Sequence, residues 1–275
     1  MKKPDINSVT LKWVHAKRFS TGENAEQAIE ENVCVVQESS VTIDVQGVET
    51  YTFLCTPIDK LALAAGFLYS EGVIDKLTDI EILKECDDDP TIIRVRLTNK
   101  VPRIGDTDRN LLIVSSCGAC GSENIKKRID ALPNVGNFIK IRAGILHSVY
   151  KDLRKQQKLF EASGGTHAAA IFDENGKIVS FAEDTGRHNA LDKSIGKCLL
   201  SNLGITGKGV ALTSRLSLEM VGKCAVAGIE VIASVSAPTS MAIDVARNCN
   251  ITLCAFVRES RATVFTHPSR ITALI

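Results

Sequence analysis

The feature that most constrains the fold is the alternation of apolar strands and helices after residue 165. Strands at Ala168–Phe172 and Ile178–Phe181 flank an Asp-Glu-Asn-Gly turn, which predicts a hairpin. Helices near 188–203, 217–228 and 239–248 then alternate with predicted strands at Val210–Thr213, Val231–Val235 and Ile251–Val257. Such a βαβαβ progression predicts a sheet covered by helices on both faces.

The chain before residue 110 is predicted to be β-rich with one helix. Alternating apolar and polar residues predict a hairpin from Val41 to Cys55, and further strands at 80–83 and 92–97. Thr56 and Pro57 have the pattern of an N-cap and a first helical residue, so a buried helix should cover 61–69 and end at Gly72. We therefore divide the chain into an N-terminal subdomain (1–110), a cysteine loop with a helical connection running to Phe160 (111–160), and an α/β core (161–275).

Composition excludes several classes of partner. With 275 residues, 44% of them apolar, the chain can bury a substantial core, and a formal net charge of +1 gives no global reason to bind nucleic acid or an acidic membrane. The nine cysteines show no disulfide framework, and no apolar run is long enough to span a bilayer. We expect a cytoplasmic protein.

Cys117 and Cys120 form the one C-x-x-C pair, directly after the apolar run Leu111–Val114. The loop is made of small residues, and the following sequence from Ser122 is typical of a helix start, whose dipole favours a thiolate. A redox dithiol, half of a zinc site and a sulfur-carrying persulfide pair all fit this spacing, and it could also be a structural coincidence. The histidines that could complete a zinc site, His147 and His167, are isolated in the sequence.

Arginine, histidine and hydroxyl residues follow successive strands of the predicted core. Because the carboxyl ends of neighbouring strands lie at one edge of an open α/β sheet, Arg187 and Arg215 should converge there with helix N-termini. This predicts a site for a phosphorylated, nucleotide-like ligand. Asp184, Asp192 or Glu219 could contact its base or ribose, or simply pair with the arginines, and the hydroxyls could simply be helix caps.

Five motifs together resemble the formate dehydrogenase accessory sulfurtransferase family, the FdhD/NarQ proteins. They occur in the family's order, and the resemblance extends from about residue 30 over nearly the whole chain. The motifs are Ser116-Cys117-Gly118-Ala119-Cys120-Gly121, Gly164-Gly165-Thr166-His167-Ala168-Ala169, Asp184-Thr185-Gly186-Arg187-His188-Asn189-Ala190-Leu191-Asp192-Lys193, Ser214-Arg215-Leu216-Ser217-Leu218-Glu219-Met220 and Ser236-Ala237-Pro238-Thr239.

The resemblance implies a cytidine-deaminase-like, three-layer α/β/α core with a mixed sheet, beside a smaller N-terminal β-rich α+β subdomain. It implies a homodimer that takes sulfur from a cysteine desulfurase as a persulfide on Cys117, with Cys120 as its partner. The sulfur would pass to the molybdenum cofactor, bis-molybdopterin guanine dinucleotide, for formate dehydrogenase. GDP or GMP would mimic the nucleotide end of this cofactor.

The cofactor-binding residues predicted from the junctions and the resemblance together form one set. They are Thr166, His167, Asp184, Arg187, His188, Arg215, Ser217, Ser236, Thr239, Phe256, Val257, Arg258, Glu259, Ser260 and Arg261. Deaminase chemistry is not expected, because Ala168 and Ala169 follow His167 where a zinc deaminase needs H-x-E. The alternative function is a non-catalytic chaperone for the guanine-nucleotide cofactor, with redox-active or zinc-bound thiols.

Overall fold

The structure, a computed structural model, describes residues 9–21, 28–98 and 129–273. Cys117 and Cys120 lie outside these residues. The helices are α1 (Lys60–Ser70), α2 (Ala143–Gln156), α3 (Lys158–Ser163), α4 (Arg187–Leu200), α5 (Leu218–Val226) and α6 (Ser240–Asn248). The strands are β1 (Leu11–Phe19), β2 (Ala28–Val36), β3 (Ser39–Val45), β4 (Glu49–Cys55), β5 (Ile80–Glu85), β6 (Ile92–Leu97), β7 (Ile141–Arg142), β8 (His167–Phe172), β9 (Ile178–Asp184), β10 (Gly209–Leu212), β11 (Val231–Ser234), β12 (Thr252–Arg258), β13 (Arg261–Thr266) and β14 (Ile271–Thr272).

The core is a mixed six-stranded sheet in the order β13-β12-β11-β10-β8-β9. Strands β10, β11 and β12 are parallel, whereas β8 is antiparallel to both of its neighbours, β9 and β10. Strands β9 to β12 therefore all point the same way. Their carboxyl ends and the amino end of β8 form one side of the sheet, which we call the carboxyl edge.

Helices cover both faces of this sheet. On one face, α4, α5 and α6 contribute Leu191, Ile195, Val221 and Val245 to a buried cluster with strand residues such as Val210 and Ile232. On the other face, α2 packs Leu146, Val149 and Leu153 onto Ala170 and Phe172 of β8. Apolar residues on both faces explain why these strands appear in the sequence as continuous apolar runs. The mixed α/β class is confirmed; the likeness to cytidine deaminases stays a prediction.

The N-terminal part is a four-stranded sheet, β4-β3-β6-β5, with α1 packed on it. Helix α1 also crosses α4 with their backbones in contact at Gly66 and Gly196. A Cβ atom on Gly66 would overlap the carbonyl oxygen of Asp192, and one on Gly196 would overlap that of Ala62. The two glycines therefore allow the N-terminal sheet and its helix to dock closely on the core.

Three details of the sequence-based secondary structure need correction. Helix α1 begins at Lys60 after Asp59 in the left-handed region, so Thr56 is not its N-cap. The predicted helix through Phe160 is two helices, because the backbone turns at the buried Gln157. The paired strands β1 and β2 and the sheet's outer strand β13 were not predicted. The domain boundaries stay predictions.

Two features are absent from the described residues. No helix within these ranges is long and apolar enough to cross a membrane. In the same part of the chain, no group of three or more His, Cys, Asp and Glu side chains is arranged to hold a metal ion.

Candidate functional site at the carboxyl edge

The loops at the carboxyl edge are tied to one another by backbone hydrogen bonds. Leu216 donates to the carbonyl of Ala237 at 3.0 Å, and Thr239 donates back to the carbonyl of Leu216 at 2.9 Å. Phe256 N lies 3.2 Å from the carbonyl oxygen of Ser236, which joins the next strand to this group. The junctions that follow β10 and β11 thus lie side by side, with the end of β12 next to them.

Arg187 and Arg215 are free of ion pairs with any residue that the structure describes. Arg187 is partly buried at the start of α4, and its Nε has no hydrogen-bond partner there. Arg215 is exposed at the junction between β10 and α5. The candidate acids do not neutralise them, because Asp184 pairs with Lys193 and Asp192 pairs with Lys223. The edge therefore presents two unpaired guanidinium groups, which suit phosphate.

Asp184 is fully buried, and both of its carboxylate oxygens are used inside the protein. Oδ1 accepts from Gly186 N at 2.8 Å and from Asn189 Nδ2 at 3.0 Å. Oδ2 accepts from Thr56 N at 3.0 Å and from Lys193 Nζ. Asp184 stays a predicted cofactor-binding residue, and in the structure its contacts lie within the loop leading into Arg187 and on Thr56 and Lys193.

Two imidazoles flank Arg187. Burial and the Arg187 charge lower the pKa of His167, against an opposing effect of Asp184. Burial, followed by the charges of Arg187 and Lys223, lowers the pKa of His188 to about 4, although Glu219 opposes this. Nε2 of His188 lies 3.9 Å from Glu219 Oε2 and has no hydrogen-bond partner in the described part of the chain. His188 is therefore neutral near pH 7.

Most hydroxyls of the predicted set make internal hydrogen bonds. Thr166 donates to Glu183 at 2.8 Å, and Ser217 donates to Glu219 at 2.6 Å. Thr239 caps α6 by accepting from Ala242 N, while Ser236 donates its backbone N–H to Ser234 Oγ at 2.9 Å. Of these residues, Thr239 matches the capping alternative, whereas Ser217 makes no side-chain cap and Thr166 bonds to a carboxylate. The contacts shape the loops. The arginines and histidines are the groups left for a ligand.

The segment Phe256–Arg261 contains an irregularity in β12. Phe256 has φ of +52°, a region that a phenylalanine rarely adopts, and the register with β13 shifts between Ala255 and Arg258. The Phe256 ring is 39% exposed, and Arg258 donates to the carbonyls of Val235 and Val257 at 2.6 and 2.8 Å. The bulge directs this segment toward the carboxyl edge. Glu259, Ser260 and Arg261 are exposed.

A cavity of about 1460 Å³ opens on the α2 side of the carboxyl edge. Of the predicted residues, it is lined by Thr166, His167, Val257, Arg258 and Glu259. Sequence reasoning missed its basic wall, although Lys151, Arg154 and Lys155 recur at helical spacing on α2, which was a usable signal. This wall consists of Lys151, Arg154, Lys155 and Lys158, of which Lys155 pairs with Asp152 at 2.6 Å and Lys158 with Glu161 at 3.1 Å.

The seven cysteines within the described residues are all free and buried. Burial raises the pKa of Cys55 and of Cys249 to about 11 and that of Cys254 to about 12. It also raises the pKa of Cys198 and Cys224. Thiols of this kind are largely protonated at neutral pH and react slowly. None of these seven cysteines is a good sulfur acceptor.

Comparison with known proteins gives a consistent result. The profile of the FdhD/NarQ family matches residues 36–272. The sulfur carrier protein FdhD of Picrophilus torridus is 35% identical over 250 residues, which cover 88% of this chain and 93% of that protein. The protein of the same name from Sulfolobus acidocaldarius is 40% identical over 217 residues, covering 78% of this chain and 82% of the relative.

One solved structure resembles nearly the whole chain. It is a crystal structure from Desulfotalea psychrophila, provisionally assigned as a formate dehydrogenase accessory protein, with a TM-score of 0.74 and 25% identity. The match covers 94% of this chain and 99% of that one.

Proposed function

Because the chain belongs to the FdhD/NarQ family, we propose that it is a cytoplasmic sulfur carrier that serves formate dehydrogenase. It accepts sulfur from a cysteine desulfurase as a persulfide on Cys117. It then passes this sulfur to bis-molybdopterin guanine dinucleotide, bound as a substrate at the carboxyl edge. We also propose that it acts as a homodimer.

The observation that carries the ligand part of this proposal is the pair of unpaired arginines, Arg187 and Arg215. Lysines neutralise the neighbouring buried acids, so the guanidinium groups remain for the pyrophosphate of a nucleotide. Neutral His188 beside them adds a hydrogen-bonding group without adding charge. The cavity adjoining the edge, whose lining includes Lys151, Arg154 and Arg258, gives room for the rest of a large anionic ligand.

The sulfur part rests on the choice of thiol. The seven described cysteines are buried, which leaves the C-x-x-C pair as the candidate acceptor. In the first step, the Cys117 thiolate attacks the outer sulfur of the donor's protonated persulfide. The donor S–S bond breaks, the donor cysteine leaves as a thiolate, and the outer sulfur stays on Cys117 with its proton. Cys120 stabilises or displaces this persulfide.

Intact mass spectrometry tests the sulfur step. After incubation with a desulfurase and cysteine, the wild type should gain about 32 Da, the mass of one sulfur atom. The adduct should be lost in Cys117→Ala and kept in Cys34→Ala, which removes a buried thiol. A wild type that gains no mass contradicts sulfur transfer and favours the non-catalytic chaperone.

Nucleotide protection tests the ligand site. Saturating GDP should raise the unfolding temperature of the wild type, and Arg215→Ala should weaken GDP binding roughly tenfold, the loss of one charge-assisted hydrogen bond. Arg247→Ala is the control, because this exposed arginine lies on α6 and pairs with Asp244 at 3.1 Å. An unchanged unfolding temperature with saturating GDP contradicts the site.

A further inference from the structure

The carboxylate of Asp184 is the centre of a buried polar cluster at the carboxyl edge. We define the Asp184 cluster as Asp184, Lys193, Thr56, Asn189 and the peptide N–H of Gly186. The Asp184 and Lys193 side chains both have zero exposed surface. Every member lies within hydrogen-bond distance of Asp184. The cluster is therefore a single connected network around one charge pair.

The Asp184 cluster joins two parts of the chain that are far apart in sequence. Thr56 lies between β4 and α1, and it is 128 residues from Asp184. Lys193 Nζ donates to the carbonyl of Thr56 at 2.7 Å, and Thr185 N donates to Thr56 Oγ1 at 3.2 Å. Asn189 donates to the carbonyl of Leu54 at 2.9 Å. The N-terminal sheet is thereby fastened to the loop that carries Arg187.

The packing around Gly186 is close enough to fix this loop. A Cβ atom at this position would lie 2.7 Å from Asn189 Nδ2 and 3.4 Å from Asp184 Oδ1. Its peptide N–H is held by Asp184 at 2.8 Å, and the next residue is Arg187. The backbone that sets the direction of Arg187 therefore has little freedom.

A buried cluster of this kind contributes less to the free energy of unfolding than to fixing the positions of its members. Desolvation of a buried ion pair cancels much of its attraction, and an apolar replacement is often no less stable. A fully satisfied polar network, by contrast, specifies one arrangement of its members. The Asp184 cluster holds one arrangement of a loop whose arginine has no ion pair within the described ranges.

We propose that Asp184 is a positioning residue of the nucleotide site, which acts through the peptide of Gly186 to set Arg187 and couples this loop to Thr56. The inference rests on the proposed function, because it takes Arg187 to bind the nucleotide. Asp184 itself does not touch the ligand.

A double-mutant cycle tests this with GDP as the probe and calorimetry on folded protein. Asp184→Asn and Arg187→Ala should each weaken GDP binding roughly tenfold, and the double variant should bind no more weakly than Arg187→Ala. Two variants acting independently would instead multiply to roughly a hundredfold. Such additivity, or full GDP affinity in Asp184→Asn, overturns the inference. Unchanged affinity in Arg187→Ala overturns the proposed nucleotide site itself, which is a separate result.

Two further variants keep the test decisive if Asp184→Asn folds poorly. Gly186→Ala changes no charge but displaces Asn189, so it should also weaken GDP binding and show the same lack of additivity with Arg187→Ala. Asp192→Asn is the control, since it removes a buried acid next to Lys193 that pairs with Lys223 at 2.9 Å. It should leave GDP affinity unchanged. Equal weakening in this control would overturn the positioning role.

Discussion

Two buried lysines, Lys193 and Lys223, have similar chemistry and different surroundings. Each side chain has zero exposed surface and contacts a buried aspartate. Lys193 points to the carboxyl edge and joins the Asp184 cluster. Lys223 on α5 instead contacts Asp192 of α4 at 2.9 Å and Glu71, just after α1, at 2.7 Å. One lysine thus contacts the loop that leads to Arg187, and the other joins three helices.

The charges of the two clusters differ. The Asp184 cluster has one carboxylate for one ammonium, whereas Lys223 faces two carboxylates. Burial alone would lower the pKa of Lys223, but the attraction of Asp192 and Glu71 outweighs it and raises this pKa. Burial raises the pKa of Asp192 despite the attraction of Lys223, and Glu71 adds to the rise. In the Asp184 cluster, one ion pair with neutral donors around it suits a fixed loop geometry. Lys223, shared by two acids, suits the cross-linking of helices.

Gly196→Ala should disrupt both lysine clusters, and we expect the largest effect from it. In an ordinary helix this change stabilises by about 1 kcal/mol, but here the added methyl would overlap the carbonyl of Ala62 and separate α1 from α4. We expect a loss of about 5 kcal/mol in the free energy of unfolding, measured by urea denaturation. Gly144→Ala on α2, with open space around its Cβ, is the control and should be neutral or stabilising. A stable Gly196→Ala variant would show that the helices can shift apart.

Lys223→Met should distinguish the effect of the Lys223 cluster on stability from the effect of the Asp184 cluster on GDP binding. It leaves two buried carboxylates without their cation, which costs about 3–4 kcal/mol of unfolding free energy. GDP affinity of the folded protein should stay unchanged, because Lys223 contacts no residue of the Asp184 cluster. Lys197→Met is the matched control on α4. Its pair with Asp59 is about one-third exposed and should contribute less than about 1 kcal/mol. A loss of GDP affinity in Lys223→Met would show that the two clusters are coupled.

The core could be predicted because its strands are buried on both faces. Val210–Thr213 and Val231–Val235 appear as short apolar runs, and the structure has strands Gly209–Leu212 and Val231–Ser234 there. Strand β1 was not assigned, although its sequence alternates in part, because most of its residues are exposed and no buried face stands out. The outer strand β13 is similarly exposed over its first half.

The candidate site could be predicted only in part. Arg187 and Arg215 were correctly expected at one edge, because strand order and direction bring junctions together. The lysine partners of Asp184 and Asp192 could not be inferred from the sequence. The pair of Asp192 and Lys223 joins two separate helices. The contacts of Thr56 could not be inferred either, because its partner is distant in sequence. Its position before a helix suggested a cap, whereas it bonds to a loop more than a hundred residues later.

The pKa of the His188 ring responds to charges from both regions, Arg187 beside the Asp184 cluster and Lys223 in the other cluster. Its pKa of about 4 in the folded protein lies below the ordinary value of 6.5, so the unfolded chain binds more protons between these pH values. Stability from this group is complete above pH 6.5 and is lost as pH falls toward 4. Because the side chain is 28% exposed, we expect a contribution of about 1–2 kcal/mol, which His188→Asn should remove from the difference between pH 7.5 and pH 4.5.

Nuclear magnetic resonance titration of the His188 ring then separates the contributions. Burial has the largest effect on this pKa, followed by Arg187 and Lys223. Both Arg187→Ala and Lys223→Met should therefore raise it, with the larger rise in Arg187→Ala. Asp184→Asn should raise it only if Arg187 moves away from the ring, because Asp184 is not among the charges that act on His188 directly. An unchanged His188 pKa in Asp184→Asn, together with weakened GDP binding, would mean that the loop shifts without carrying Arg187 away from His188.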